Sequence, residues 1–358
     1  MPGYPRRVSL EIDHVTKRYG STTALDGLTF EVARGEVFGF LGANGAGKTT
    51  TMRICLGIIT ADAGEIRWDG RPTGALARRT WGYLPEERGL YPRMGVLDQL
   101  VYFGSLYGEA PDRARREALA WLTRFRIADY AGRRAEELSK GNQQKVQFIA
   151  AVLHDPEVLL MDEPFTGLDP MNLVLLREAF TELRDRGRTL IFSTHQMEAA
   201  EAMCESVAIV DRGRLVAGGR VRDLKRASGR RTVRLAFDGG VVVGGGAAVV
   251  VGGAAVVGGG VVVGGAAADS LAVWLAALPG VRAVRTDAAG AELELLPSAD
   301  PATILNAVLA RGGTLTRFEV AEPSLEALFI EHVGRPADDE TSLAPVGIGP
   351  SVAAESAA

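Results

Sequence analysis

The sequence predicts an α/β fold, a largely parallel sheet with helices on its faces, followed by a small α+β unit of ferredoxin-like order. Three observations predict it. Apolar runs bounded by turn signals, "EVFGFLG", "EVLLMDEP" and "TLIFSTH", have the length and composition of strands buried on both faces. Helical stretches such as "TTTMRICLGII" and "NLVLLREAFTELRDRG" alternate with them, and that alternation implies a parallel sheet. After Gly229 the order becomes strand, helix, strand, strand, helix, strand and a closing helix, which is a split βαβ unit. A chain of 358 residues has room for both, at about 100–200 residues per domain.

Taken in order, "VSLEIDHV" and "LTFEVA" alternate as half-buried strands, and "EVFGFLG" is the first fully buried one. "GANGAGK" breaks the chain before the helix that starts "TTTMRICLGII". From about residue 90 to about 145 the pattern is helical and charged, with "PDRARREALAWLTRF" as its clearest element. "EVLLMDEP", the helix "NLVLLREAFTELRDRG" with its Gly stop, "TLIFSTH", and two strands in "SVAIVDRGRLVAGG" complete a first domain over residues 8–225. The second, 230–334, runs through "TVRLAF", "SLAVWLAAL", "VRAVRT", "AELELL", "PATILNAVLARGG", "TLTRFEV" and "SLEALFIEHVG". Residues 335–358, acidic and then rich in Ala, Ser, Gly and Pro, read as a disordered tail.

Net charge is −4, so no overall basic surface points to nucleic acid. Cys55 and Cys204 lie in apolar contexts and read as reduced, buried thiols. The opening "MPGYPRRVSLEI" has no apolar core of a secretory signal, and a cytoplasmic chain is expected. Residues 239–268 contain only Gly, Val and Ala, which is long enough for a membrane span of about 20 residues. Twelve of these thirty are Gly, each costing a helix about 1 kcal/mol relative to Ala, and neither boundary carries a Trp or Tyr anchor. The segment reads instead as a mobile, functionless low-complexity insertion whose valine triplets are an aggregation hazard.

"GANGAGKT", Gly42 to Thr49, fits the phosphate-binding pattern G-x-x-x-x-G-K-[ST] between a strand and a helix. Its glycines let backbone N–H groups wrap two phosphates, Lys48 would reach the terminal ones, and the Thr49 hydroxyl would hold Mg²⁺. About 110 residues later, "VLLMDEP" puts Asp162 and Glu163 at a strand end. Asp162 suits a magnesium partner, and Glu163 suits a residue that orients the attacking water. Two adjacent acids on a buried strand are costly without a cation nearby, which favours one being there. "ELSKGNQQKV" is a further loop-to-helix junction able to approach an anion.

With these motifs the stretch from about Val8 to Leu224 resembles the nucleotide-binding subunit of ABC transporters, a P-loop ATPase domain with a helical subdomain. The resemblance makes Leu138-Ser139-Lys140-Gly141-Asn142 the signature loop, usually Leu-Ser-Gly-Gly-Gln, which covers the γ-phosphate held by a partner in a head-to-tail dimer. It implies ATP and Mg²⁺ as cofactors and nucleotide contacts from Gly42, Asn44, Gly45, Gly47, Lys48, Thr49 and Thr50. It further implies that Tyr19 stacks on adenine, Asp169 sits in the loop crossing the interface, and His195 contacts the γ-phosphate. Glu86 stands where the family usually has a glutamine linking Mg²⁺ to the membrane-facing helices. That departure, with Lys140 and Asn142, resembles the sodium-exporting and drug-resistance ATPases, which work with a separate membrane permease and carry a small C-terminal domain. The implied function is ATP hydrolysis coupled to export at the inner face of the cell membrane, by two copies or a related pair. A soluble ATPase of translation or DNA repair is the alternative, disfavoured by one phosphate loop and no sustained heptads. A regulatory protein that holds ATP without turnover is disfavoured by Lys48, Asp162, Glu163 and His195 together.

Overall fold

The structure is a computed structural model and describes residues 8–74, 80–87, 89–229, 231–237, 240–242, 248–250, 255–257, 260–262, 266–287, 290–296, 298–311 and 315–334. Within them the chain divides between Val221 and Arg222 into two compact units, the second ending at Leu328. The expected tail, 335–358, lies outside the described residues.

The first unit is built on two sheets. Strands β1 (Val8–Tyr19), β2 (Thr22–Ala33), β4 (Ala63–Trp68) and β5 (Arg71–Pro72) form an antiparallel sheet in the order β2-β1-β4-β5. The second has six strands, adding β3 (Val37–Leu41), β6 (Trp81–Leu84), β7 (Val158–Asp162), β8 (Thr189–Thr194), β9 (Ser206–Asp211) and β10 (Arg214–Arg220) in the order β10-β9-β3-β8-β7-β6. It is parallel from β9 to β6, and only β10 runs antiparallel, at one edge. Strands β3, β7 and β8 are buried along their whole length, as a parallel sheet covered on both faces requires.

The two sheets share a core of Leu10, Ile12, Leu28 and Val32 against Phe38, Phe40, Ala208 and Val210, with Trp68 edge-on to Trp81. On the other side, Phe125, Phe148, Phe165, Phe180 and Phe192 form a chain of ring contacts. That chain ties β8 to helices α4 (Lys140–Val152) and α5 (Pro170–Asp185), and to the end of α3 (Pro111–Arg124). Helix α2 (Val96–Leu106) completes the helical region, and the short helices α6 (Met197–Met203) and α7 (Val221–Ala227) follow β8 and β10 along the chain. Helix α1 (Lys48–Cys55) is shorter than its apolar run suggests, because Leu56 caps it and Gly57 turns in the left-handed region. Strands β4 to β6 lie in a stretch where no strand is expected from the sequence.

In the second unit β11 (Arg231–Phe237), β16 (Val281–Asp287), β17 (Gly290–Leu295) and β18 (Leu315–Ala321) form an antiparallel sheet in the order β16-β17-β11-β18. Helices α8 (Ala266–Ala276) and α9 (Pro301–Ala310) are the two crossovers, which makes this the split βαβ arrangement. Val233, Leu235, Leu293 and Leu295 pack with Leu271, Leu275, Ile304 and Val308 of the helices. The alternate residues of the same strands form a row of opposite charges, Arg285–Glu292–Arg234–Glu319, across the sheet. Cross-strand neighbours of opposite sign stabilise such a face in water.

The sequence predicts no strand in the Gly/Val/Ala segment. Its described residues form four short strands, β12 (Gly240–Val242), β13 (Ala248–Val250), β14 (Ala255–Val257) and β15 (Gly260–Val262). They pair as an antiparallel meander in a sheet of their own. The valine runs thus find backbone partners within the same segment; its other residues lie outside those described.

Candidate active site

Four neighbouring parallel strands end at one place. β3 delivers the phosphate loop, β8 delivers His195, β7 delivers Asp162 and Glu163, and β6 leads through Pro85 to Glu86. The carboxyl ends of parallel strands are where α/β sheets bind ligands.

The loop itself is shaped by backbone crowding. Gly47, at φ 104°, caps α1, and a Cβ there would lie 2.6 Å from the carbonyl of Ala24. No side chain caps that helix start, so its first amides face the loop as an anion site. Lys48 is buried, and its Nζ donates to the carbonyls of Gly42 at 2.8 Å and Ala43 at 3.2 Å. Glu163 Oε1 stands 3.8 Å from that ammonium. Burial lowers the Lys48 pKa, and the charges of Glu163, Asp162 and Glu86 oppose the shift. Asn44 and Gly45 are exposed at the loop tip, while Thr49 and Thr50 are half-buried.

Glu163 is held by three donors: Thr194 Oγ1 at 3.1 Å, the His195 amide at 3.1 Å and His195 Nδ1 at 2.9 Å. A carboxylate only accepts, so Nδ1 is the donor in this pair. The Glu163 backbone sits at φ 48°, an unfavourable conformation for a non-glycine residue. It is retained by hydrogen bonds from its amide to the carbonyl and hydroxyl of Ser193.

Asp162 is buried, and its Oδ1 accepts from the hydroxyl of Ser193, its neighbour across β7 and β8. Oδ2 is buried with no hydrogen-bond partner. An orphaned buried carboxylate oxygen is costly and suits a cation. A buried carboxylate oxygen of this kind is the hard donor that Mg²⁺ prefers. Among the described residues no group of three His, Cys, Asp or Glu forms a metal cage of its own. Partial burial raises the Glu86 pKa, and the charges of Asp162 and Glu163 raise it further, so added positive charge there would be favoured.

Ser193 and Thr194 were not expected from the sequence, although both bind the paired acids. Their signal was two hydroxyls at the end of an otherwise apolar buried strand, where each needs a partner.

The remaining expected residues lie on other elements. Tyr19 is half exposed at the end of β1, with Lys17 Nζ 5.6 Å from its ring centre. Ser139 caps α4 and accepts from the Asn142 amide at 3.3 Å, with Lys140 exposed and Gly141 half-buried in the first turn. Asp169 caps α5 and accepts from the Asn172 amide at 2.8 Å.

Comparison with known proteins agrees with this geometry. The ABC transporter family profile matches residues 25–166, and that of the DrrA1-3-like ATP-binding protein C-terminal domain matches residues 258–333. An uncharacterized ABC transporter ATP-binding protein of Bacillus subtilis (strain 168), YhaQ, is 42% identical over 91% of this chain and 98% of its own length. The Nod factor export ATP-binding protein I of Paraburkholderia xenovorans (strain LB400) is 42% identical over 59% of this chain and 70% of its length. A solved ATP-binding subunit of an ABC transporter superposes at a TM-score of 0.58 with 32% identity, over 62% of this chain and 93% of that one. A phosphate loop, a paired-acid strand and a histidine strand converge on one edge, and a relative matches almost end to end. The chain belongs to the ATP-binding subunits of ABC transporters, the ATPases of those machines.

Proposed function

We propose that this chain hydrolyses ATP in composite sites formed with a second copy of itself, packed head to tail, and so drives export through a separate integral membrane permease. The reading places it on the cytoplasmic face of the cell membrane as a peripheral subunit; among the described residues no helix is long and apolar enough to cross a bilayer. Lys48 and the amides at the start of α1 hold the phosphates, with Gly42, Asn44, Gly45, Gly47 and Thr50 around them. Tyr19 supports the adenine. Thr49 and Asp162, with Glu86 nearby, would hold Mg²⁺, which supplies charge neutralisation of the phosphates when bound. Glu163 orients the attacking water and accepts its proton, and His195 holds that carboxylate through Nδ1 and contacts the γ-phosphate.

The observation that carries this reading is the fixed Glu163 carboxylate beside a buried Lys48. Ser139 and Asp169 take their hydrogen bonds from their own helices, not from this cluster. The Ser139 hydroxyl accepts from Asn142, which leaves its hydrogen to donate to a phosphate on a facing copy. Export is supported by the named Nod factor relative and by the linearmycin resistance ATP-binding protein of Bacillus subtilis (strain 168), 34% identical over 64% of this chain.

Glu163→Gln tests the reading. It keeps the size of the side chain and both phosphate cradles but removes the base. Turnover should fall by at least about a hundredfold, and a stable dimer should form in ATP with Mg²⁺ on size exclusion. A variant that remains monomeric at saturating ATP and high protein concentration rules the composite site out.

A further inference from the structure

We propose that Asn172 is a positioning residue that locks the Ser139–Gly141 loop to the Asp169 loop, so that both meet the partner's nucleotide as one rigid surface. The inference rests on the composite-site reading above and adds the element that couples its two crossing loops.

Asn172 is the third residue of α5, whose cap is Asp169. Its amide N–H donates to Asp169 Oδ1 at 2.8 Å, as in any capped helix. Its side chain does something more. Nδ2 donates to the second oxygen, Oδ2, at 3.0 Å, so one residue holds both oxygens of the carboxylate. The Asp169 rotamer is thereby fixed from two sides.

The same Nδ2 lies against the first turn of α4. A Cβ added at Gly141 would come within 3.2 Å of it, and within 3.9 Å of the Gly167 carbonyl. Gly141 has no positive φ, so the glycine is not needed for a left-handed turn. A side chain there would press on Asn172 of the same chain, independent of any phosphate. One turn along α4, Gln144 Nε2 donates to the Pro164 carbonyl at 3.3 Å, immediately after Glu163. The start of α4 therefore meets the chain after Glu163 twice, through the Gln144 bond to Pro164 and through the close approach of the Asn172 amide to Gly141, and Asn172 is the residue that also grips Asp169.

Two loops that order separately each lose conformational freedom when the dimer closes, whereas a pre-tied pair loses it once. Breaking the tie should weaken closure while leaving the first nucleotide contact alone.

The test uses the full-length chain carrying Glu163→Gln, with Asn172→Ala or Asn172→Asp added. Sedimentation gives the ATP-dependent dimer midpoint, and binding of ATP with Mg²⁺ to dilute monomer gives the intrinsic affinity. Asn172→Ala is expected to raise the dimer midpoint about tenfold, within the usual coupling range for contacting residues. Asn172→Asp should do at least as much, since it lacks the donor and sets a second carboxylate against Asp169. Monomer affinity and melting temperature should be unchanged in both, which separates positioning from general damage. An unchanged midpoint overturns the proposal, and so does a fall in monomer affinity by the same factor. If the Glu163→Gln parent itself fails to dimerise, the composite-site reading falls and takes this inference with it.

Discussion

His154 lies stacked on Tyr107, ring centres 3.7 Å apart and nearly parallel, with Nε2 3.3 Å from the Trp81 carbonyl. Its Nδ1 is buried without a hydrogen-bond partner, so a proton added there would have no acceptor. Burial pushes its pKa down to about 4 from 6.5, only partly offset by the Trp81 carbonyl. A base with a depressed folded pKa binds its proton in the unfolded chain first. Its contribution is therefore complete above about pH 6.5 and is lost as pH falls toward about 4, by up to about 3 kcal/mol. His154→Phe keeps the stack and removes the proton site. Denaturant unfolding of both proteins from pH 7 to pH 4 should show a shallower loss in the variant; parallel curves would refute the assignment. Legibility at this scale was uneven. Lys48, Thr49, Asp162 and Glu163 sit in contiguous motifs, whereas Ser193 and Thr194 gain their roles only from neighbours about thirty residues away, and Asn172 joins its local bond to Asp169 to a neighbour as distant.

At the scale of elements, buried strands and amphipathic helices were readable because each carries its own periodicity. Strands β4 to β6 were not: "AGEIRW", "RP" and "WGYL" are short, the first two partly or wholly exposed, and they become strands by pairing with β1, with each other and with β7. The Gly/Val/Ala segment gave the opposite difficulty, since composition alone could not show that its valine runs pair with one another. Its four strands form a sheet separate from the second unit's own, between β11 and α8. Connections of this kind cost little with length, about 0.6 kcal/mol per doubling. Replacing residues 239–268 with a short Gly-Ser turn should leave ATPase activity within about twofold and solubility unchanged or improved. Loss of the folded second unit on this replacement, seen by circular dichroism, would show that the meander supports it.

Across the whole molecule, two units with separate cores predict two unfolding events. The Lys48 site lies wholly in the first. In scanning calorimetry, ATP with Mg²⁺ at about 100 times its Kd should stabilise that transition by about 2.7 kcal/mol and leave the other in place. That corresponds to roughly 5–10 °C for a unit of this size. One merged transition that nucleotide shifts as a whole would contradict the division. By itself the sequence determined the family, the order of elements, the phosphate loop, the paired acids and the split βαβ order of the second unit. These depend on residues adjacent in the chain or on local periodicity, so the signal survives without coordinates. Only the tertiary structure decided which residues hold Glu163 in its strained backbone, that Asp162 keeps one buried oxygen unpaired, and that the Asn172 amide stands beside Gly141. Those facts depend on strands and helices distant in sequence converging to within about 3 Å, a distance that no local pattern encodes.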